Sequence, residues 1–358
     1  MESGVFIVLY DEDTLKLYLA KGVYGFLMPP IYDEVPLRSR HYHALGDYAC
    51  IRKGTHIFFF LRRKIYYGGQ AIGSENHAAF YLNGQYSPLG KKAEAKLCWD
   101  ESERKIYRAT DKPGIFEIKQ RDRYVERCQP YLIRFEDHIG LKGRVISSDE
   151  LYFELGRFPY PLPTNVISGM SFCTMTPGEV SIALDLLKST NKQISTKTDE
   201  NIELIGEPLP FSPSFGFKNI EKAMERSTSE AHLEAMLLAN PTVWPEEIKP
   251  RGSYVLCRQV PMSPFKPPQW IDKANICLYQ EPLINNGTIP NVILELKVRN
   301  VSKTEVEQVV KYARWLHMVL KENAYQVQFY LCGPSFAQNI ESCIPDEYKG
   351  QIKLQVLG

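Results

Sequence analysis

The sequence predicts two domains of different class: an α+β N-terminal half built on a β-barrel, then an α/β half with a mixed sheet flanked by helices. Three observations carry this. The chain has 358 residues, more than one hydrophobic core usually serves. Its first half strings together short aromatic and β-branched runs broken by Gly, Pro, Asn and Asp, whereas its last third alternates helix-like and strand-like periods. Between them, residues 189–216 are polar and then rich in Pro and Ser, with no sustained period. The expected division is a recognition domain at 1–188, a linker at 189–216 and a second domain at 217–358.

In order, the runs VFIVLY, HIFFFL, IYYGG, AAFYLNG, YLIRF and LYFEL read as strands. TPGEVSIALDLLKS, from Thr176, reads as a helix, because Thr can cap, Pro suits the first helical position and Glu179 completes a capping box. IEKAMERSTSEAHLEAMLLANP predicts an amphipathic helix that stops before Pro241. Strands follow over 254–260, 270–280 and 291–298, with Asn286-Gly287 as a hairpin signal between the last two. A helix over 303–322 and a strand over 325–333 complete the order.

Composition limits the function. Apolar residues are 44% and charged residues 24%, values of a soluble globular protein. The net charge of +1 means that any nucleic acid must be held by a local basic surface. The eight cysteines lie far apart without a Cys-x-x-Cys pair, so structural zinc is not expected. With an N-terminus that lacks the runs of a secretory signal, they read as reduced thiols of a cytoplasmic protein. No apolar run approaches the ~18 residues that cross a bilayer, so no membrane partner is expected. There is neither a Gly-x-Ser-x-Gly elbow nor a phosphate-cradling Walker loop, which argues against a serine hydrolase and against a nucleotide cofactor.

The chemistry concentrates in NVILELKV. On a strand Glu295 and Lys297 point the same way, and Leu294 and Leu296 the other. Asp272 lies in the preceding strand and can bring a second carboxylate beside Glu295. Two hard oxygen donors suit Mg²⁺, with Mn²⁺ as a substitute, so Asp272 and Glu295 are the candidate metal ligands. Such an ion generates hydroxide and stabilises phosphorane charge, while Lys297 can position water or neutralise a phosphate.

Taken together, EAHLEAMLLANP (Glu230 to Pro241), Asp272 in WIDKANICL, Glu295-Leu-Lys297, and Gln308 and Tyr312 in QVVKY resemble the PD-(D/E)XK nuclease domain. The pattern is nearest to NucS-type mismatch endonucleases and related restriction-endonuclease-like domains. The resemblance implies catalytic roles for Glu230 (with Glu234 as the lesser choice), Asp272, Glu295, Lys297, Gln308 and Tyr312. The four-residue step between the last two places them on one helix face. The stretch from Asp272 to Glu295 is longer than the pattern's usual connection. Arg258, Lys273, Arg299 and Lys303 are candidate phosphate contacts.

GDYACIRKGTHIFFFLRRKIYYGGQAIG and LPTNVISGMSFCTMTPGEVSIALDLL resemble PUA-like domains, the group with EVE, ASCH and YTH modules. That resemblance implies nucleic-acid recognition, with a modified base taken into an aromatic pocket. Tyr42, Tyr48, Tyr66 and Trp99 are the candidate walls. The expectation is a Mg²⁺-dependent DNA endonuclease acting on double-stranded DNA as a homodimer, in modification-dependent or target-selective restriction. The alternatives are a mismatch- or structure-specific repair endonuclease and a non-catalytic nucleic-acid-binding protein with an idle nuclease fold.

Overall fold

The structure, a computed structural model, describes residues 1–9, 11–30, 39–73, 80–82, 87–90, 107–155, 172–196, 229–262 and 272–357. Trp99 and most of the expected linker, from residue 197, lie outside the described residues.

The first half contains β1 (Gly4–Val8), α1 (Glu12–Lys21), β2 (Val23–Gly25), α2 (Ser39–Ala49), β3 (His56–Leu61), β4 (Lys64–Ala71) and β5 (Phe80–Leu82). It continues with β6 (Tyr107–Ala109), β7 (Ile115–Gln120), β8 (Arg123–Cys128), β9 (Tyr131–Glu136), β10 (Val145–Ser147), α3 (Ser148–Leu155), β11 (Phe172–Met175) and α4 (Pro177–Ser189). One sheet runs β11-β1-β3-β4-β9-β2, with β10 added on β4 and β5 on β9; β6, β7 and β8 form a small second sheet. Among the described residues β11 and β2 do not pair, so the sheet they form is a half-barrel and the closed barrel expected from the sequence is not shown.

Three helices, α1, α2 and α3, occupy the region read as strands. In α1 the Asp11 carboxylate accepts from the Thr14 amide at 2.7 Å, and Gly22 closes the helix at φ +63°, a left-handed conformation that glycine adopts freely. LYFEL, read as a strand, belongs to α3. Its start is set by the Ser147 amide, which donates to Glu150 at 2.9 Å, so local capping overrides the β preference of an aromatic run too short to fix a period. Arg62 and Arg63 form the β3–β4 turn at φ 51° and 62°, a two-residue hairpin that more often uses Asn-Gly. At α4 the expectation and the structure agree: the Glu179 amide donates to Thr176 Oγ1 at 3.2 Å, and the Thr176 amide donates to Glu179 at 2.7 Å.

The second half contains α5 (Glu230–Ala239), β12 (Tyr254–Pro261), β13 (Lys273–Gln280), β14 (Val292–Leu296), α6 (Lys303–Leu320), β15 (Gln328–Gly333) and β16 (Ile352–Val356). These strands form a mixed sheet in chain order, antiparallel through β14 and parallel from β14 to β16. The sequence reading ended at β15 and did not include β16. Period-two alternation builds a core on each face. Leu256, Ile276, Leu278, Leu294 and Leu296 join Leu233, Met236 and Leu237 of α5, whereas Cys257, Cys277, Ile293 and Leu331 join Val309, Ala313 and Leu316 of α6.

The halves share a core, since Tyr48 and Phe172 belong to the same buried cluster as the α5 side of the second sheet. The Arg258 amide of β12 donates to Thr174 Oγ1 of β11 at 2.9 Å, so the sheets meet along these edges. The long β13–β14 connection turns at Asn286 (φ 55°) and Gly287 (φ 77°) and packs on the start of α4. There a Cβ on Gly178 would collide with Thr288. Its extra length therefore serves the contact between halves.

Candidate active site

The carboxyl end of β14 and the first turn of α5 meet over an open cavity of about 570 Å³. Glu230, Asp272, Glu295, Lys297 and Gln308 all line it. Ser229 caps α5 by accepting from the His232 amide at 3.3 Å, which fixes Glu230 in the first turn. Lys297 follows β14, its amide still donating to Cys332 of β15 at 2.8 Å. From there Lys297 Nζ donates to Glu295 Oε1 at 2.8 Å and to Glu230 Oε1 at 3.4 Å. The shared direction of Glu295 and Lys297 is thus the one that strand alternation predicts.

Glu295 is 3% exposed. Burial raises its pKa to about 7, with Lys297 opposing the rise. The Tyr312 hydroxyl interacts with this carboxyl and favours its charged form, and it also lies 3.4 Å from the Lys273 carbonyl, to which it donates. Glu295 Oε2 is left buried without a hydrogen-bond partner. A buried acceptor left bare is costly unless something electropositive meets it. For Lys297, burial lowers the pKa, but Glu295 and Glu230 outweigh it and hold the ammonium charged. Among the described residues no three His, Cys, Asp or Glu side chains gather as a metal cage. Asp272, Glu295 and Glu230 are carboxylates on the cavity wall, and of these Glu295 has a buried oxygen, Oε2, with no directed hydrogen bond.

Gln308 and Tyr312 meet as their helical spacing predicts: the Gln308 amide donates to Tyr312 Oη at 2.6 Å. Tyr312 is 1% exposed, so Gln308 faces the cavity and Tyr312 supports it from behind. Lys273 lines the cavity; Arg299 and Lys303 are exposed, the latter 3.7 Å from Glu307.

Four candidate residues are placed elsewhere than expected. Arg258 is 4% exposed and cannot reach a phosphate. Its Nε and Nη2 each donate to the Glu234 carboxylate at 3.0 Å, and Nη1 donates to Asp47 of α2. This bidentate geometry is what a guanidinium offers a carboxylate, and it makes Glu234 a buried structural partner, leaving Glu230 as the helix acid at Lys297. Tyr48 is fully buried, its hydroxyl donating to the Tyr131 carbonyl at 3.0 Å. Tyr66 is buried in the same core. Tyr42 stacks on His232 with ring centroids 4.3 Å apart. Tyr48 and Tyr66 are core residues, the apolar burial of an aromatic ring outweighing its use as an open wall, whereas Tyr42 stays half-buried against His232.

Sequence reasoning missed three residues. Asn275 accepts from the Leu296 amide at 2.8 Å where the β13–β14 ladder ends, and so steadies Glu295. Gln259 sits at φ 53° in a bulge, where the register skips from Arg258 opposite Ile276 to Val260 opposite Ala274. The bulge turns both Arg258 and Gln259 to one side, and Gln259 Nε2 donates to both Glu234 oxygens at 3.3 and 3.1 Å. His43 of α2 lines the cavity and accepts from Arg258 Nη2 at 2.8 Å. Desolvation, then the Arg258 and Lys273 charges, pushes its pKa down to about 4. No spacing rule links a histidine to a sheet more than two hundred residues away, so no sequence signal marked it.

No protein-family model and no curated protein matches the chain. Three solved structures resemble it. A repair endonuclease from Pyrococcus abyssi is 15% identical, with a TM-score of 0.26 over 69% of this chain and 66% of that one. An EndoMS–dsDNA2 complex is 13% identical, with a TM-score of 0.25 over 70% and 63%. The DNA modification-dependent restriction endonuclease AspBHI is 12% identical, with a TM-score of 0.17 over 97% and 77%. The match thus spans just under two thirds of the first two chains. Overlap this loose carries no argument, and the site rests on its own geometry.

Among the described residues no helix is long and apolar enough to cross a membrane, and the described cysteines form no disulfide.

Proposed function

We propose that this chain is a Mg²⁺-dependent endonuclease that hydrolyses DNA phosphodiesters. The observation that carries the reading is the bare, buried Glu295 Oε2 in a cavity shared with Asp272 and Lys297. The donor set fits Mg²⁺, which takes few carboxylates and keeps waters and phosphate oxygens as its other ligands. Bound there, Mg²⁺ would supply charge against the phosphate and acidify water for attack.

The chain's own residues divide the remaining work. Asp272 and Glu295 would hold the ion. Lys297, kept charged by Glu295 and Glu230, supplies a fixed cation to the phosphate or to the attacking water. Gln308, braced by Tyr312, presents an amide to the same space. Tyr312 and the β14 strand keep these groups from reorganising, so that little barrier is spent on alignment.

The first half would select the target, with modified bases favoured, and two copies of the chain would cut the two strands of a duplex. Genomic DNAs with different base modifications, mismatched duplexes and plain duplexes, each with and without Mg²⁺, test this reading. Cleavage confined to modified DNA supports a modification-dependent enzyme. Cleavage confined to mismatches supports a repair enzyme. Binding without cleavage in Mg²⁺ or Mn²⁺ overturns the nuclease reading in favour of a non-catalytic binding protein.

A further inference from the structure

We propose that His43, carried by α2 of the first half, donates a hydrogen bond from Nε2–H to a substrate phosphate in the cavity of Glu295 and Lys297. This rests on the reading of that cavity as a nucleic-acid site and adds to it a residue from the other half of the chain.

The tautomer follows from the neighbours. Arg258 Nη2 is a donor under all conditions, and it lies 2.8 Å from His43 Nδ1. Nδ1 must therefore offer its lone pair, which leaves the ring proton on Nε2. The Arg258 plane is itself fixed, by both oxygens of Glu234 and by Asp47. The bulge at Gln259 sets the direction from which Arg258 approaches. The imidazole is thus held at one edge by a buried guanidinium, while the ring stays exposed on the cavity side.

The cavity wall needs such a donor. Its acidic members, Glu230, Glu234, Asp272 and Glu295, have only Lys297 and Lys273 opposite them among the wall's lysines, and Glu234 is already taken up by Arg258. A neutral N–H adds attraction for a phosphate oxygen without adding a positive charge that would repel a metal cation. Because α2 packs along α5 through Gly46, where a Cβ would stand 3.0 Å from Arg258 Nε, the first half would close one side of the site and not merely be tethered to it.

Two substitutions separate this role from a structural one. His43→Asn retains an acceptor near the Nδ1 position for Arg258 but no donor that reaches the cavity. His43→Gln places an amide N–H near the Nε2 position and forfeits the contact with Arg258. The readouts are the Kd for a short DNA duplex in the Glu295→Gln background, and KM and kcat for cleavage in the otherwise unchanged chain. The expected result is a rise in Kd and KM of about tenfold for His43→Asn, as for loss of one hydrogen bond to a charged group. His43→Gln recovers most of it, and both variants melt within a few degrees of the parent.

If His43→Asn binds and cleaves like the parent while His43→Gln is impaired, His43 serves Arg258 alone and the proposal is overturned, with the nuclease reading intact. If the parent binds DNA without cutting it, and His43→Asn still weakens binding, the contact stands and the nuclease reading falls. If the parent neither binds nor cuts DNA, both fall.

Discussion

Lys297 Nζ lies 2.8 Å from Glu295 Oε1, while Glu295 Oε2 is buried without a directed hydrogen bond, so Lys297 neutralises this buried carboxylate through one oxygen only. Lys297→Met removes the cation and leaves that carboxylate bare on both oxygens. The expected outcome is loss of up to about 3 kcal/mol of stability, together with loss of cleavage. Urea denaturation and a nuclease assay on the same preparation check it. A variant as stable as the parent would show that the pair contributes nothing to folding.

Arg258 predicts a different pattern, because it bridges Asp47, Glu234 and His43 inside the protein. Arg258→Met strands two carboxylates, at a cost of about 3–5 kcal/mol. Adding Glu234→Leu and Asp47→Leu recovers most of that loss, since the uncompensated charges go too. The quantity to measure is the coupling in denaturation free energy between the single and triple variants. Additive losses would contradict the clamp.

Glu179 gives a pH dependence. It is 5% exposed, and burial raises its pKa from 4.5 to about 7 against the bonds from Thr176. Its folded pKa is above its unfolded one, so its stabilising share is complete below about pH 4.5 and is lost as pH rises through 7. Glu179→Gln keeps the acceptor without the ionisation. Parent and variant should match near pH 4.5 and diverge to about 3 kcal/mol in the variant's favour at pH 8. A difference constant over that range would refute the shift.

Tyr312 braces Gln308 through a 2.6 Å bond. Tyr312→Phe deletes one buried hydrogen-bonding hydroxyl, for about 1 kcal/mol of stability. It also frees the Gln308 amide, so kcat should fall by more than KM changes. Unchanged kinetics would make Gln308 and Tyr312 packing residues only.

Much of the second half was legible because short-range rules act there. Strand alternation put Glu295 beside Lys297, and the four-residue helical step put Gln308 on Tyr312. In the first half Thr176-Pro-Gly-Glu179 announced its own capping box, but elsewhere the same rules were outvoted. Tyr48 and Tyr66 looked like pocket walls because an aromatic residue reads alike in a core and at a surface. Arg258 looked like a phosphate contact because its partners, Asp47 and Glu234, come from distant segments. His43 and the Gln259 bulge depend on how α2 meets β12 and α5, a relation that no local period encodes. The β16 strand, IKLQV, was missed because it is short and earns its place only by pairing with β15.

The most direct test of the whole account is the initial rate of duplex DNA cleavage in Mg²⁺ by the parent and by Glu295→Gln, with matched circular dichroism spectra. Cleavage by the parent is expected, with none in the absence of the metal and a fall of at least about a hundredfold in the variant. Equal rates for the two proteins would contradict it, because the bare carboxylate oxygen at the centre of the site would then have no part in the chemistry.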